Sequence, residues 1–146
     1  MKFFYLRLAV MVLVLFSAFG LRAEEVKNTL SQTLFIELNA LNQQQQSCRL
    51  SFVMKNNLNS AIEELAMEVV LFNQSQQVTS MLLIKSQKMP VRKTLVRQYS
   101  LKNTQCSSIS QVLVNDIKVC RGQNLTGETC LQSLDLSSRT SAKLGS

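Results

Sequence analysis

The sequence predicts an all-β protein, a two-sheet β-sandwich of about seven strands with a short helical turn near the C-terminus. Three observations point there. Short apolar segments recur along the chain, most alternating with period two and bounded by Asn-, Gln- and Ser-rich turns. Sustained helical periodicity is absent. Four cysteines follow an N-terminal leader, an even number suited to stapling a small exported domain.

Residues 1–23 read as a signal peptide. Lys2 and Arg7 supply a positive start, residues 8–20 an apolar run, and Ala23 a small residue before the polar "EEVK". The run is shorter than the roughly 20 residues a membrane span needs. No Arg-Arg pair precedes it, so export by the general secretory route to the periplasm is expected. The alternative is an uncleaved segment that anchors the chain in the membrane. With cleavage, residues 24–146 form one domain that keeps 13 basic and nine acidic side chains, a balance of +4, and no stable span. That balance, with export, argues against a nucleic-acid partner.

The first strand is expected at 33–41, with Leu34, Ile36, Leu38 and Ala40 on one face. "NQQQQS" connects it to a second strand, in which Cys48, Leu50, Phe52 and Met54 face inward and Arg49, Ser51 and Lys55 outward. Residues 61–73 fit both periods. Ile62, Leu65, Ala66 and Val69 have helical spacing, while Leu65, Met67, Val69 and Leu71 alternate, and the β-branched and aromatic end "VVLF" favours a strand. Strands follow at 78–85 and 93–101, separated by a connector with the only proline. Between Ile109 and Cys120 the parity breaks: Val112 and Val114 are apolar at even positions, Ile117 and Val119 at odd ones. An extra residue at Asn115-Asp116 would restore one face, which predicts a β-bulge or tight turn. Thr126 is placed to cap a short helical turn, with Glu128 near its positive end. Residues 135–144 are expected as the last strand.

The cysteine gaps of 58, 14 and 10 contain no close pair of the metal-binding or redox kind, so two disulfides are expected. Four cysteines allow three pairings. Cys48 starts one strand and Cys106 stands just before another. If those strands run alike in facing sheets, their starts meet, so Cys48–Cys106 with Cys120–Cys130 is the preferred pairing.

The middle of the chain resembles the immunoglobulin-like FxLYD modules of exported bacterial proteins. Val69, Leu71, Phe72 and Asn73 stand where that family closes a strand with an aliphatic, a second aliphatic, an aromatic and an acid. The likeness covers residues 48–101 and implies an immunoglobulin-like sandwich. The fuller layout is similar to a group of small exported bacterial proteins of unassigned activity, often labelled "Tat pathway signal sequence domain protein". It comprises "CRLSFV", "VVLFN", "ISQVLVNDIKVCRG", a cysteine ten residues on, and "SSRT". The group carries over no catalytic residues.

The sequence has no histidine, which removes the Ser-His-Asp triad, the Cys-His pair and imidazole metal ligands. No Gly-rich phosphate loop is present. No catalytic set, metal site or cofactor is therefore expected. The expectation is a non-enzymatic accessory module that binds another protein or an anionic envelope component. Lys85, Lys88, Arg92, Lys93 and Arg97 cluster at 85–97 as its candidate partner-binding surface. Two alternatives stand beside it. One is a small hydrolase using Ser-Lys or carboxylates, drawn from Glu63, Glu64, Glu68, Asp116 and Glu128. The other is a secreted enzyme inhibitor presenting the loop between Gly122 and Gly127.

Overall fold

Alternation of inward and outward side chains sorts the strands into two packed sheets. The computed structural model describes residues 32–146, so the leader assigned to residues 1–23 lies outside the described residues. The strands are β1 Leu34–Gln44, β2 Ser47–Asn56, β3 Glu64–Asn73, β4 Val78–Ser86, β5 Thr94–Lys102, β6 Ile109–Arg121, β7 Leu134–Ser138 and β8 Lys143–Gly145, with one short helix, α1 Gly127–Gln132. One sheet runs β5-β2-β1-β7 and the other β4-β3-β6-β8. β1, β2 and β5 share one sheet and β3, β4 and β6 the other, which is how an immunoglobulin-like sandwich segregates its A, B, E and C, C′, F strands.

The inward row of β2 is Cys48, Leu50, Phe52 and Met54, all buried as its parity predicts. Residues 64–73 form a strand, and the double periodicity has a cause. β3 is an inner strand, so Leu65, Met67, Val69 and Leu71 fill the core while Ala66 and Val70 are buried on the opposite face. Apolar residues at both parities produce a spurious helical spacing.

Bulges reset the parity of the long strands. In β6, Glu68 pairs with Asp116 and Val69 with Val114, which leaves Asn115 as the extra residue where one was expected. Two further extra residues, Ser110 and Lys118, also interrupt β6. The second corrects the expectation for Val119. It turns outward opposite Ala66, and Cys120 takes the inward place. In β1 an extra residue at Asn39 likewise corrects the expectation for Ala40. Leu41, opposite the buried Leu50, packs against the core instead. The polar connector 42–47 is shorter than expected, because both strands extend into it and leave Gln45-Gln46 as the turn.

The segment expected as one last strand is two. β7 runs parallel to β1, and β8 runs parallel to β6 in the opposite sheet. A polar turn carries the chain across. Arg139 N–H donates to the Leu38 carbonyl at 3.0 Å, and Ser138 Oγ donates to the Ala142 carbonyl at 2.7 Å, with Ala142 buried at the bend. Arg139 Nε meets the nearly buried Glu37 Oε2 at 2.9 Å, and Asn39 Nδ2 donates to Glu37 Oε1 at 2.9 Å. α1 is capped by Thr126, whose Oγ1 accepts from Thr129 N at 3.1 Å.

Two disulfides close the sandwich. Cys48, at the start of β2, joins Cys106 in the turn before β6, with Cα atoms 5.0 Å apart. Cys120 joins Cys130 of α1 at 6.4 Å. They indicate an oxidising, extracytoplasmic environment. Among the described residues no helix is long and apolar enough to cross a membrane.

Loop entropy ranks the two bridges. The first spans 58 positions and the second 10. Replacing Cys48 and Cys106 with alanine should cost about 4 kcal/mol, and replacing Cys120 and Cys130 about 3 kcal/mol. Urea unfolding of the two double variants checks this, and the reverse order would refute it.

The hydrogen bonds from Asn39 and Arg139 hold the Glu37 carboxyl below its ordinary 4.5. A depressed carboxyl contributes stability above its unfolded pKa and loses it as pH falls through the folded value. The thermal midpoint of wild type should therefore fall more steeply than that of Glu37→Gln between about pH 5 and pH 3. Parallel profiles would show that the group does not couple to folding.

Candidate interaction surface

The crossover that carries the basic cluster is anchored by one buried amide. Asn56 ends β2 and is fully buried. Its Nδ2 donates to the Met89 carbonyl at 2.8 Å and to the Ser60 carbonyl at 2.9 Å, and its Oδ1 accepts from Leu58 N at 3.0 Å. Its main chain accepts from Arg92 N at 2.6 Å and donates to the Lys93 carbonyl at 3.1 Å. Met89 and Ile62 exchange main-chain hydrogen bonds at 2.7 and 3.0 Å, and both side chains are fully buried. The connector between β4 and β5 is thus pinned to the core at Met89. Its turn, Pro90 to Lys93, closes with Lys93 N donating to the Pro90 carbonyl at 3.0 Å and holds Arg92 at φ 63°.

The five basic residues nominated by the sequence lie along this crossover, and the structure gives them different settings. Lys85 is exposed near the end of β4, and its carbonyl accepts from Tyr99 Oη at 2.7 Å. Burial pushes the Tyr99 phenol up, so it stays a donor. Lys88 pairs with Glu63 at 2.9 Å. Arg97 turns back onto its own strand, donating to the Val96 carbonyl at 3.1 Å and to Gln87 Oε1 at 3.5 Å. Arg92 and Lys93 are exposed on the turn, and among the described residues neither has an acidic partner.

Beside these cations lies an apolar feature that the sequence analysis did not single out. Val78, Met81 and Leu83 on β4 are 59%, 60% and 51% exposed, and Val91 and Val96 are exposed in the crossover and on β5. Val78 lies opposite Phe72, Met81 opposite Val70, and Leu83 opposite Glu68 on the outer face of the sheet. Met81, Val70 and Leu113 form one row across three strands. In the sequence "VTSMLLIK" is apolar at both parities, which reads as a buried inner strand; only its place at the sheet edge leaves one of its rows exposed.

The other candidates are placed differently. In the loop after β6, Leu125 packs against the core, and Gln123, Asn124 and Thr126 are exposed. A Cβ on Gly122 would meet the Ala61 carbonyl oxygen, and one on Gly127 the Ile117 carbonyl oxygen, so close backbone approach requires glycine at both. Four of the five nominated carboxylates sit in surface ion pairs: Glu63 with Lys88, Glu64 with Arg121, and Glu68 and Asp116 with Lys118 at 3.5 and 2.8 Å. Glu128 accepts from Gln132 Nε2 at 3.3 Å. Glu68 and Asp116 do converge, on an exposed sheet face. An acid–base pair needs one carboxyl raised, whereas Lys118 holds Asp116 below its ordinary value. Among the described residues no three Cys, Asp or Glu side chains are grouped to hold a metal ion.

Replacing Asn56 by alanine would leave the Leu58 amide and the Ser60 and Met89 carbonyls short of partners. The expected loss is about 3 kcal/mol, with faster exchange at the Arg92 amide. Denaturant unfolding with hydrogen exchange measures both, and a loss confined to surface-variant size, about 0.5 kcal/mol, would refute the anchoring role.

No family model matches this chain, and no curated protein matches it. A search of solved structures finds IrmA from Escherichia coli, superposed with a TM-score of 0.54 at 9% sequence identity, over 71% of this chain and 90% of that one. That likeness extends to the fold alone, a two-sheet sandwich.

Proposed function

We propose that this chain is an exported, periplasmic, non-enzymatic accessory module that binds another protein or an anionic envelope component through the β4 edge and the crossover to β5. The single observation behind this reading is the pairing of exposed apolar side chains with uncompensated cations. Val78, Met81 and Leu83 project from β4, Lys85 follows on the same face, and Arg92 and Lys93 lie on the adjoining turn. Patches of this kind, apolar with a charged rim, mark interaction sites more often than structural ones. Two disulfides and the leader pattern of residues 1–23 support periplasmic delivery. The absence of histidine and the salt-bridged setting of the carboxylates support a binding role over catalysis.

The test is crosslinked capture from envelope extract with the wild-type chain and a Lys85→Glu, Arg92→Glu, Lys93→Glu variant. A discrete component should be retained by wild type and lost by the charge-reversed chain. Recovery of nothing, with and without crosslinker, would count against the reading. Equal recovery by both chains would remove the cations from the site.

A further inference from the structure

The main-chain geometry of β4 narrows the kind of partner. Two hydrogen bonds establish which way its peptide groups point. At the hairpin, Asn73 N donates to the Gln77 carbonyl at 2.9 Å, so the odd-numbered residues of β3 face β4. Those residues pair with the even-numbered residues Ser80, Leu82, Ile84 and Ser86. The peptide groups of Met81, Leu83 and Lys85 therefore point away from the sheet. The second bond agrees, because the Lys85 carbonyl is met from outside by Tyr99. β4 is the last strand of its sheet, and no side chain among the described residues bonds the main chain of Met81 or Leu83.

The other edges are protected in the usual ways. β5 carries Arg97 and Lys102, and Arg97 covers the outward carbonyl of Val96. β7 and β8 have five and three residues. Residues 78–84 of β4, "VTSMLLI", hold no charge, no proline and no glycine. A long, uncharged, apolar edge is a pairing liability that exported proteins ordinarily suppress. Here it is left open beside exposed apolar side chains.

We propose that β4 is an acceptor edge for an extended segment of a partner protein, which adds antiparallel as the next strand. Main-chain bonds to Met81 and Leu83 hold it, its alternate apolar side chains lie beside theirs, and an acidic residue at its N-terminal end faces Lys85. The antiparallel sense places the segment's N-terminus at that end, and charge complementarity sets the acid there. The inference rests on the binding-module reading and specifies its mode.

Two capped synthetic heptapeptides test it on the folded chain. After the first residue, which is aspartate in one and lysine in the other, both alternate threonine and valine, so that the valines share the face of the first residue. The aspartate peptide should slow hydrogen exchange at the Met81 and Leu83 amides and leave those of Leu82 and Ile84, already bonded to β3, unchanged. The lysine peptide should bind about two- to fivefold more weakly, as an exposed ion pair dictates. Leu83→Pro should keep the wild-type thermal midpoint, because its N–H has no partner in the fold, and should abolish peptide protection. Leu83→Lys, which leaves the backbone intact, provides a second block if the proline variant unfolds.

No protection at Met81 and Leu83 at millimolar peptide would overturn the proposal, as would undiminished binding by folded Leu83→Pro. A concentration-dependent dimer that protects the same two amides would overturn it in favour of a second copy. Envelope capture that is equal for wild type and Leu83→Pro would sink strand addition while leaving the binding module standing.

Discussion

The buried amide of Asn56 is where the two loops at one end of the sandwich meet the core. An unpaired amide in that position would be costly, because water cannot reach it and each orphaned group forfeits its full hydration. Here all the side-chain hydrogen bonds go to main-chain atoms: Ser60 and Met89 accept, and Leu58 donates. Those partners belong to the loop that crosses from β2 to β3 and to the connector that returns from β4 to β5. One side chain therefore ties both connections to the end of β2. It also decides that Met89 is buried, which in turn orients the turn bearing Arg92 and Lys93. Such a fully satisfied polar hub favours this arrangement of the loops, since displacing either one would leave buried groups unpaired.

Closure of the same side continues at Tyr99. Its ring packs edge-on against Phe52, with centroids 6.3 Å apart, and its hydroxyl reaches the Lys85 carbonyl. The tyrosine thus caps one end of the β4 edge from the opposite sheet and leaves the middle of that edge uncovered. At the other side of the sandwich the closing device is different. There the short strands β7 and β8 are joined by the turn that Arg139 ties to Glu37 and Leu38. Edge protection is uneven: charge covers β5, brevity covers β7 and β8, and β4 alone has a long uncharged stretch, residues 78–84, exposed in its middle. Disulfides at Cys48–Cys106 and Cys120–Cys130 hold the strand ends, so this open edge sits on a stapled frame.

Legibility in the sequence followed parity. Cys48, Leu50, Phe52 and Met54 read directly as an inward row, because polar Arg49, Ser51 and Lys55 mark the other face. The broken alternation around Asn115 read as an inserted residue, because one face must stay apolar across the break. The second insertion at Lys118 was not readable, since Val119 and Cys120 are both apolar and either could have faced inward. Asn39 hid in the same way, with Ala40 and Leu41 adjacent. The basic crossover was visible as a charge cluster, whereas the exposed side chains of β4 looked like any other apolar strand. Nothing local distinguishes Met81, at 60% exposure, from Met67, which is fully buried.

Residue type and spacing were thus enough for the strand class, the inward row of β2, the helix cap at Thr126 and the exclusion of imidazole chemistry, because those depend on period, side-chain chemistry and near neighbours. Strand order, the partition of residues 134–145 between two sheets, and the position of β4 at an edge were decided by tertiary packing. They depend on which strands lie side by side, and hydrogen-bond donors and acceptors of the main chain are identical at every residue. Whether a peptide group is satisfied or free is a property of its neighbours in space, so the open edge at Met81 and Leu83 exists only in the folded chain.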